Sequence, residues 1–421
     1  MRQAIRVTSS TLAASVVALL AACSETPEGK LVLVRDDALD TKTPTTLVLE
    51  EVKDGVRKEL SRKPWAAGGL ELGTLSRSES GQFRAYGLDA KGVPSHGGKT
   101  LALAYESLES ARIPLFVAPV DRFVHLPGTV DTAALPKPIM ATERVVVLPS
   151  SGGLLTAYDL LALASVDLMA NPKAATIAAV GSKLLLVNDT GATSHDLSTS
   201  TTTALSSLPD APDVAGGNAV AAGTTNVYVV GPTRSTPSST VWYWGGESTV
   251  ARTALSAPRA HAAAVFAPGL GLVVMGGGVE NAEVVTPGAS QAFSLPASTK
   301  TVQTACSTGG TRLLTVDELG AVSTFDASCR QTCPMDPWPL PVMKPKNASL
   351  ACVRGRVLYA THDDVGLLHA FALTKEASAE LPLPAGRKGA TLFPLPTEHV
   401  ALIGGASSID VVAVPESLAP R

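Results

Sequence analysis

The chain has 421 residues, a length typical of two or three domains. Its composition, 45% hydrophobic and 17% charged with 36 Gly and 30 Pro, is typical of a β-rich globular protein and argues against a coiled coil or a charge-rich disordered chain. The formal net charge of −3 argues against nucleic acid as the main partner, because phosphate binding needs a concentrated basic surface.

Residues 1–22 form a predicted export signal. Two arginines precede a short uncharged run, 12–20, that is too short to span a bilayer. The run ends in Leu20-Ala21-Ala22-Cys23, which resembles the lipobox of bacterial lipoproteins. That resemblance implies that the signal is removed, that Cys23 becomes linked to diacylglycerol, and that the new amino terminus is acylated. The alternative is an ordinary secretory signal with a chance cysteine.

The residues after the lipobox bear on localisation. Bacterial lipoproteins retained in the inner membrane usually carry Asp directly after the cysteine, whereas this chain has Ser24. The resemblance therefore implies an outer-membrane lipoprotein of the cell envelope, facing the periplasm or the surface. Residues 23–30 are polar and are predicted to form a tether. Later in the chain there is no apolar run long enough to predict a transmembrane helix.

Residues 31–120 are predicted to form a small β-sandwich of the immunoglobulin-like or a similar type. Short β-forming runs alternate there with turn signals, among them Asp89–Gly92 and His96–Gly98. The predicted strands are 31–34, 45–52, 69–75, 82–88, 100–105 and 113–120. The alternative is that they form additional copies of the repeat described next, but their spacing disfavours it.

A repeat begins near residue 145. Seven four-residue apolar runs follow one another at steps of 39 to 45 residues. They are VVVL 145–148, LLLV 184–187, VYVV 227–230, LVVM 272–275, LLTV 313–316, VLYA 357–360 and VALI 400–403. A small-residue strand precedes most runs, and an alternating strand and a segment that often ends in Leu-Pro follow them. Four short strands per repeat predict the blade of a β-propeller.

The last copy of the repeat lacks a fourth strand, since only seven residues follow Val414. The segment RFVHLPG, 122–128, matches the fourth-strand pattern and stands just before the first copy. We therefore predict that it completes the last blade, so that residues 121–421 form a closed seven-bladed propeller.

One copy, residues 258–278, resembles a kelch repeat. An Arg/His-bearing first strand and an apolar second strand precede the diglycine Gly276-Gly277, and a second diglycine stands at Gly404-Gly405. The other copies lack the diglycine, so the resemblance is to a degenerate kelch-like propeller. It implies partner binding through the loops of the propeller; a minority of kelch proteins, such as the galactose-oxidase type, are enzymes.

Four cysteines remain besides Cys23, an even number that suggests disulfides in an exported chain. Cys306 and Cys352 fall on the first strands of neighbouring copies, and Cys329 and Cys333 would close a small loop. The alternative is free buried thiols. A zinc site is less favoured, because a CxxxC spacing without nearby histidine is a weak metal signal.

The sequence contains no catalytic motif of the common hydrolase, metalloprotease or P-loop types. We therefore predict a membrane-anchored binding or scaffold protein with a protein or glycan partner, without a cofactor or metal. The alternative is a propeller enzyme that acts on glycans or other envelope polymers. One further pattern concerns packing: Trp242 and Trp244 alternate with Tyr243, so the two Trp are predicted to lie between blades.

Overall fold

The computed structural model describes residues 30–415, except 41, 67–68, 73–74, 77, 109–111, 151–153, 171–173, 207, 232–236, 291, 330–331 and 385–386. The predicted export signal, Cys23 and the tether up to residue 29 lie outside the described residues. The predicted all-β class is confirmed, since helix in the described chain is limited to α1 (Ala211–Val214) and one 3-10 turn (Tyr105–Leu108). Within the same residues, no helix is long and apolar enough to cross a membrane.

The N-terminal region contains two sheets. Its strands are β1 (Lys30–Val34), β2 (Thr46–Lys53), β3 (Val56–Pro64), β4 (Gly69–Glu71), β5 (Ser80–Leu88), β6 (Pro94–Lys99), β7 (Leu103–Ala104), β8 (Arg112–Phe116) and β9 (Ala118–Pro119). One sheet has the order β4-β1-β8, with β1 and β8 parallel. The other has the order β3-β2-β5-β6-β9, and β7 pairs with β5. Leu31, Leu49, Phe83 and Leu115 belong to a core that both sheets share.

The strands of this region differ from the prediction in three places: β3, β6 and the predicted strand 100–105, of which only Leu103–Ala104 is a strand. β3 is absent from the predicted strands because its sequence, VRKELSRKP, is mostly charged; it lies at the edge of its sheet, where exposed Lys and Arg are tolerated. His96–Gly98 was expected to be a turn, and this expectation is wrong. The segment lies inside β6, whose pairing with both β5 and β9 outweighs the weak strand propensity of its glycines.

The rest of the described chain contains seven four-stranded antiparallel sheets, which we number 1 to 7 along the chain. Sheet 1 has β11 (Ile139–Ala141), β12 (Val145–Pro149), β13 (Leu154–Asp159) and β14 (Ala164–Ala170). Sheet 2 has β15 (Thr176–Val180), β16 (Lys183–Asn188), β17 (Gly191–Asp196) and β18 (Thr201–Ala204). Sheet 3 has β19 (Asn218–Ala221), β20 (Val227–Val230), β21 (Ser238–Trp244) and β22 (Ala251–Arg259).

The remaining sheets follow the same order. Sheet 4 has β23 (Ala263–Ala267), β24 (Gly271–Met275), β25 (Asn281–Val285) and β26 (Phe293–Ser298). Sheet 5 has β27 (Val302–Gly309), β28 (Arg312–Asp317), β29 (Val322–Asp326) and β30 (Asp336–Pro337). Sheet 6 has β31 (Ser349–Val353), β32 (Arg356–His362), β33 (Leu368–Leu373) and β34 (Ser378–Glu380). Sheet 7 combines β10 (Val124–His125) with β35 (Thr391–Leu395), β36 (His399–Ile403) and β37 (Asp410–Ala413).

The seven apolar runs of the repeat coincide with the second strands of the sheets. These strands are buried on both faces because each sheet packs against its neighbours, which explains why they are continuously apolar instead of alternating. The first strands of consecutive sheets contact one another from sheet 1 to sheet 7. In sheet 7 the outermost strand comes from far earlier in the chain: β10 pairs with β37, with Val124 opposite Val411.

The N-terminal sheets dock on sheet 7 through a buried polar contact. The Arg84 guanidinium donates to the Glu398 carboxylate, with Nε 2.8 Å from Oε1, and both side chains are buried. His399 lies beside this ion pair, and its Nε2 is 3.1 Å from the carbonyl oxygen of Gly97. A buried charge is stable only when it is paired, so this contact fixes the N-terminal region on the sheet that contains β10.

Candidate binding site

A groove of about 720 Å³ lies between sheets 5 and 6. Its wall on sheet 5 is formed by Thr308, Arg312, Thr324, Asp336 and Trp338. The wall on sheet 6 consists of Gly355, Arg356, Val357, Ala372, Leu373, Thr374 and Lys375. Both walls come from strand ends and tight turns of neighbouring sheets, so the groove exists only because the two sheets pack side by side.

The rim of the groove is charged. Lys375 Nζ is 3.3 Å from Asp336 Oδ2, and Arg312 Nη2 is 4.0 Å from the same oxygen. All three side chains are about half exposed or more, so these ion pairs contribute little to stability. One carboxylate therefore faces two mobile cations at the entrance, which leaves the rim net positive.

The guanidinium of Arg356 lies on the other face of sheet 6, against sheet 7. Its Nη1 and Nη2 donate to the carbonyl oxygens of Ala413 and Val120, each at 3.2 Å. No carboxylate of the described chain lies within ion-pair distance of it. Burial lowers the pKa of Arg356, and the more distant charge of Asp121 raises it by less. Arg356 therefore ties sheet 6 to sheet 7, and the cations at the groove are Arg312 and Lys375 at its rim.

Thr324 adds a polar group without a partner. Its side chain is 4% exposed, and its Oγ1 has no hydrogen-bond partner within the described chain. A buried hydroxyl left unpaired costs about 1–3 kcal/mol. Because Thr324 lines the groove, a ligand that accepts a hydrogen bond there would recover this cost.

Trp338 gives the groove its largest apolar surface. It follows β30 directly, and its backbone N–H donates to the carbonyl of Val322 at 2.8 Å, which fixes its position on sheet 5. The half-buried ring packs against a core cluster that includes Leu373 of the opposite wall. The groove thus combines an aromatic wall with cations, a combination suited to binding an amphipathic ligand.

The four predicted disulfide cysteines all lie in the two sheets that form the groove. The structure pairs Cys306 of β27 with Cys352 of β31, with Cα atoms 5.6 Å apart, and so links the first strands of sheets 5 and 6. It also pairs Cys329 with Cys333, with Cα atoms 5.4 Å apart, in the loop that leads into β30. Both bridges would hold the walls of the groove in place.

The predicted turn glycines lie away from the groove, each pair beside a buried arginine. Arg259 donates to the carbonyl of Gly276 at 2.8 Å and forms an ion pair with Glu283 at 2.9 Å. A Cβ atom on Gly276 would lie 2.1 Å from the carbonyl oxygen of Val302, and φ there is +73°, so this position requires glycine. Gly277 follows at φ +66°.

Sheet 7 repeats this arrangement. Arg387 donates to the carbonyl of Gly404 at 3.2 Å and pairs with Asp410 at 2.9 Å, and Gly405 follows. The chain separation from arginine to glycine is 17 residues in both sheets. The four glycines therefore serve packing and turns, and the structure brings none of them to the groove.

No family model matches the chain, and no curated protein matches it. Solved structures do match. YCF48 from Cyanidioschyzon merolae has a TM-score of 0.49 at 10% identity, covering 70% of this chain and 99% of that one. The structure titled YCF48 bound to D1 peptide has a TM-score of 0.50 at 11% identity, covering 72% of this chain and 97% of that one.

YCF48 is a β-propeller, and the second likeness extends over most of this chain. The fold of this chain includes a β-propeller. The propeller's first strands carry apolar, small, amide and hydroxyl side chains together with the paired Cys306 and Cys352. Among the described residues, no group of three or more His, Cys, Asp or Glu is arranged to hold a metal ion.

Sequence analysis missed the residues that form the groove of the propeller. Trp338 had a signal, because a tryptophan between two prolines is an uncommon large apolar residue in a connection. Thr324 had none: it becomes distinctive only when the neighbouring sheet buries its hydroxyl, and no local pattern encodes that contact. The four cysteines were the sequence feature closest to the groove, since all of them lie in sheets 5 and 6.

Proposed function

We propose that this protein is a lipid-anchored binding protein of the cell envelope. In this proposal Cys23 carries the acyl anchor in the outer membrane, and a two-sheet N-terminal sandwich joins the tether to a kelch-like propeller. Support for the anchor comes from the Leu20-Ala21-Ala22-Cys23 sequence at the end of the leader. Stable membrane anchoring needs more than one acyl chain. The lipobox resemblance implies several, because it predicts a diacylglycerol on Cys23 and an acylated amino terminus.

The proposed propeller has seven blades, closed by the segment 122–128. Two observations support this: the repeat has seven copies, and β10 pairs with β37 next to β35 and β36. The core shared by Leu31, Phe83 and Leu115 supports the sandwich. The buried Arg84–Glu398 pair would then hold the sandwich against the last blade.

The observation that carries the binding proposal is the groove between sheets 5 and 6. It places the unpaired hydroxyl of Thr324, the rim cations Arg312 and Lys375 and the ring of Trp338 along one cavity. Such convergent polar groups on an apolar wall are typical of binding sites. The solved YCF48 structure holds a D1 peptide, so a protein of this fold can bind a peptide. We propose a protein partner for this groove.

The anchor is tested by metabolic labelling of cells with a fatty acid. The wild-type protein should incorporate label and fractionate with the outer membrane, whereas Cys23→Ser should be unlabelled and remain as precursor or be released. An unlabelled wild-type protein that keeps its leader would refute the anchor and leave the groove proposal standing.

Partner binding is tested by affinity capture from envelope extracts with the detergent-solubilised full chain. Reversing the rim charges with Arg312→Glu and Lys375→Glu should abolish capture of a specific protein. The matched control is Lys91→Glu with Lys300→Glu, two exposed lysines outside the groove that give a comparable change in net charge. Equal capture by both double variants would contradict the proposed site.

A further inference from the structure

We infer that the hairpin formed by β2 and β3 docks on the anionic phospholipid surface of the membrane that holds the proposed anchor. The turn of the hairpin, Asp54-Gly55, would meet the lipid headgroups together with Val56 and the basic residues of β3. This inference rests on the anchor of the proposed function and adds a second membrane contact to Cys23.

The hairpin ends in an exposed apolar side chain that is followed by basic residues. Val56, directly after the turn, is 69% exposed, among the most exposed large apolar side chains of the described chain. β3 has the sequence VRKELSRKP, with four cations and one carboxylate, which gives it a net charge of +3. That carboxylate, Glu59, is bound by Arg62 at 2.7 Å. Such a surface suits a membrane interface, because the apolar side chain can enter the headgroup layer while the cations remain at the phosphates.

The carboxylates of β2 do not cancel this charge, because they are turned towards the protein. Glu50 accepts a hydrogen bond from the hydroxyl of Tyr86 at 3.1 Å. Glu51 accepts one from the hydroxyl of Tyr105. The exposed Asp54 of the turn opposes the cations, but the cations of β3 outnumber it.

The hairpin turn lies at the end of the N-terminal region where the tether begins. Lys53 Nζ is 2.8 Å from Glu79 Oε1, and the carbonyl of Glu79 accepts from the N–H of Tyr105 at 2.9 Å. Tyr105 begins the 3-10 turn that precedes β8, and β8 begins at Arg112, opposite Lys30 of β1. A series of contacts therefore connects the hairpin turn with the point where the tether enters β1.

The other ends of these strands face the propeller. Val34 lies opposite Phe116 at the end of β1, and the ring of Phe116 is 5.9 Å from that of His399 in sheet 7. The start of β1 and the hairpin turn therefore point away from sheet 7. Residues 23–29 can span at most about 25 Å when fully extended. An anchored Cys23 would thus keep this end of the protein close to the bilayer.

The same charges disfavour a second copy of the chain as the partner. β3 is the edge strand of its sheet, so pairing of two molecules would join one β3 to another. Cations would then face cations, which destabilises a pair of strands. A phospholipid surface offers the opposite charge at high density and lies within reach of the tether.

The test uses the mature chain, residues 23–421, coupled through Cys23 to a maleimide phospholipid in vesicles. This coupling anchors the protein whether or not cells acylate the cysteine. An environment-sensitive fluorescent amino acid replaces Val56 or, as control, Val93, which is half-exposed in the turn at the other end of β5. On vesicles that contain phosphatidylglycerol, we expect a blue-shifted emission from position 56 and an unchanged emission from position 93. On pure phosphatidylcholine, neither emission should shift.

Two pairs of substitutions connect docking to the charges of the hairpin. Arg57→Gln with Lys58→Gln should lower the docking equilibrium constant about 25-fold, or about fivefold for each basic residue at an anionic surface. Lys91→Gln with Lys300→Gln removes the same charge from exposed positions outside the hairpin and should leave docking unchanged. Added salt should weaken docking of the unsubstituted chain, because it screens exposed charges.

The outcomes separate this inference from the anchor. No blue shift at position 56, an equal shift on pure phosphatidylcholine, or docking that the Arg57 and Lys58 substitutions leave intact would each overturn the inference. A shift at position 56 that appears without vesicles as the protein concentration rises would show pairing of two copies and would overturn it as well. Fatty-acid labelling of Cys23 in cells would still uphold the anchor in all of these cases. A shift that depends on phosphatidylglycerol, with no labelling of Cys23 in cells, would uphold the lipid contact and refute the anchor alone.

Discussion

At the residue scale, the polar groups that matter most are buried arginines that hold backbone carbonyls. Arg259 and Arg387 each bind a carboxylate and a glycine carbonyl. Each arginine thereby supplies a hydrogen-bond donor to a buried carbonyl of the diglycine turn. Arg356 binds two carbonyls but no carboxylate. All three arginines thus serve structure, Arg356 by joining sheet 6 to the carbonyls of Ala413 and Val120.

The diglycine turn gives a matched pair of substitutions. Gly276→Ala should destabilise the protein strongly, because its Cβ would collide with the Val302 carbonyl in addition to the strain of φ +73°. Gly278→Ala has φ +83° but open space around it, so it should cost only the conformational strain of about 1–2 kcal/mol. Thermal unfolding of the two variants measures the difference. Equal losses would show that the close approach at Gly276 contributes nothing.

His399 makes the stability of the protein depend on pH. Burial lowers the pKa of this imidazole to about 4 from its usual 6.5, and the bond to the Gly97 carbonyl opposes the shift. The unfolded chain therefore takes up a proton between pH 6.5 and pH 4 that the folded protein does not. Stability from this group is complete above pH 6.5 and falls by about 3 kcal/mol as the pH drops to 4.

This pH dependence is measured as the unfolding free energy of the wild type against His399→Gln. The variant should show a flatter slope between pH 6.5 and 4, whatever its absolute stability. His261→Gln, at an exposed position, is the control for replacing a histidine elsewhere. A slope that is identical in all three proteins would contradict the role assigned to His399.

At the scale of the strand, the sequence predicted correctly the strands that are buried on both faces. The second strands were found from their continuous apolar runs, and Trp242 and Trp244 do lie together in the core between sheets 2 and 3. β3 was missed because an exposed edge strand tolerates a charged sequence. The groove was missed for a different reason: Trp338 and Leu373 are 35 residues apart in sequence and come together only when two sheets pack.

The packing between sheets 2 and 3 depends on Trp242, which is fully buried and donates from its indole N–H to Asp210 at 2.9 Å. Trp242→Ala should lower the unfolding free energy by about 3–5 kcal/mol, the usual cost of emptying a large aromatic site. Tyr243→Ala, on the opposite face and half-buried, should cost clearly less. Denaturant unfolding of both variants decides, and similar losses would contradict this packing.

At the scale of the whole molecule, the first and last parts of the repeat region meet in one sheet. β10 precedes sheet 1 in the chain, yet it supplies the outer strand of sheet 7. Val124 is fully buried in this contact, opposite Val411. Such a contact between distant parts of the chain makes unfolding cooperative, because opening one sheet exposes the edge of the next.

Val124→Asp tests this contact by placing an unpaired charge in it. We expect a loss of at least about 3 kcal/mol, together with faster amide hydrogen exchange in β36 and β37 than in β24 of the distant sheet 4. Val93→Asp, at a half-exposed turn position, should change neither. Unchanged exchange in β37 would mean that β10 does not hold the last sheet.

Binding of a partner protein in the groove between sheets 5 and 6 is tested most directly by photo-crosslinking in living cells. A photoreactive phenylalanine analogue would replace the exposed Thr374 in the groove or, as control, the exposed Phe293 of sheet 4. We expect one dominant adduct with an envelope protein from position 374, greatly reduced when Thr324→Val is added, and none from position 293. No adduct from position 374, or equal adducts from both positions, would contradict it.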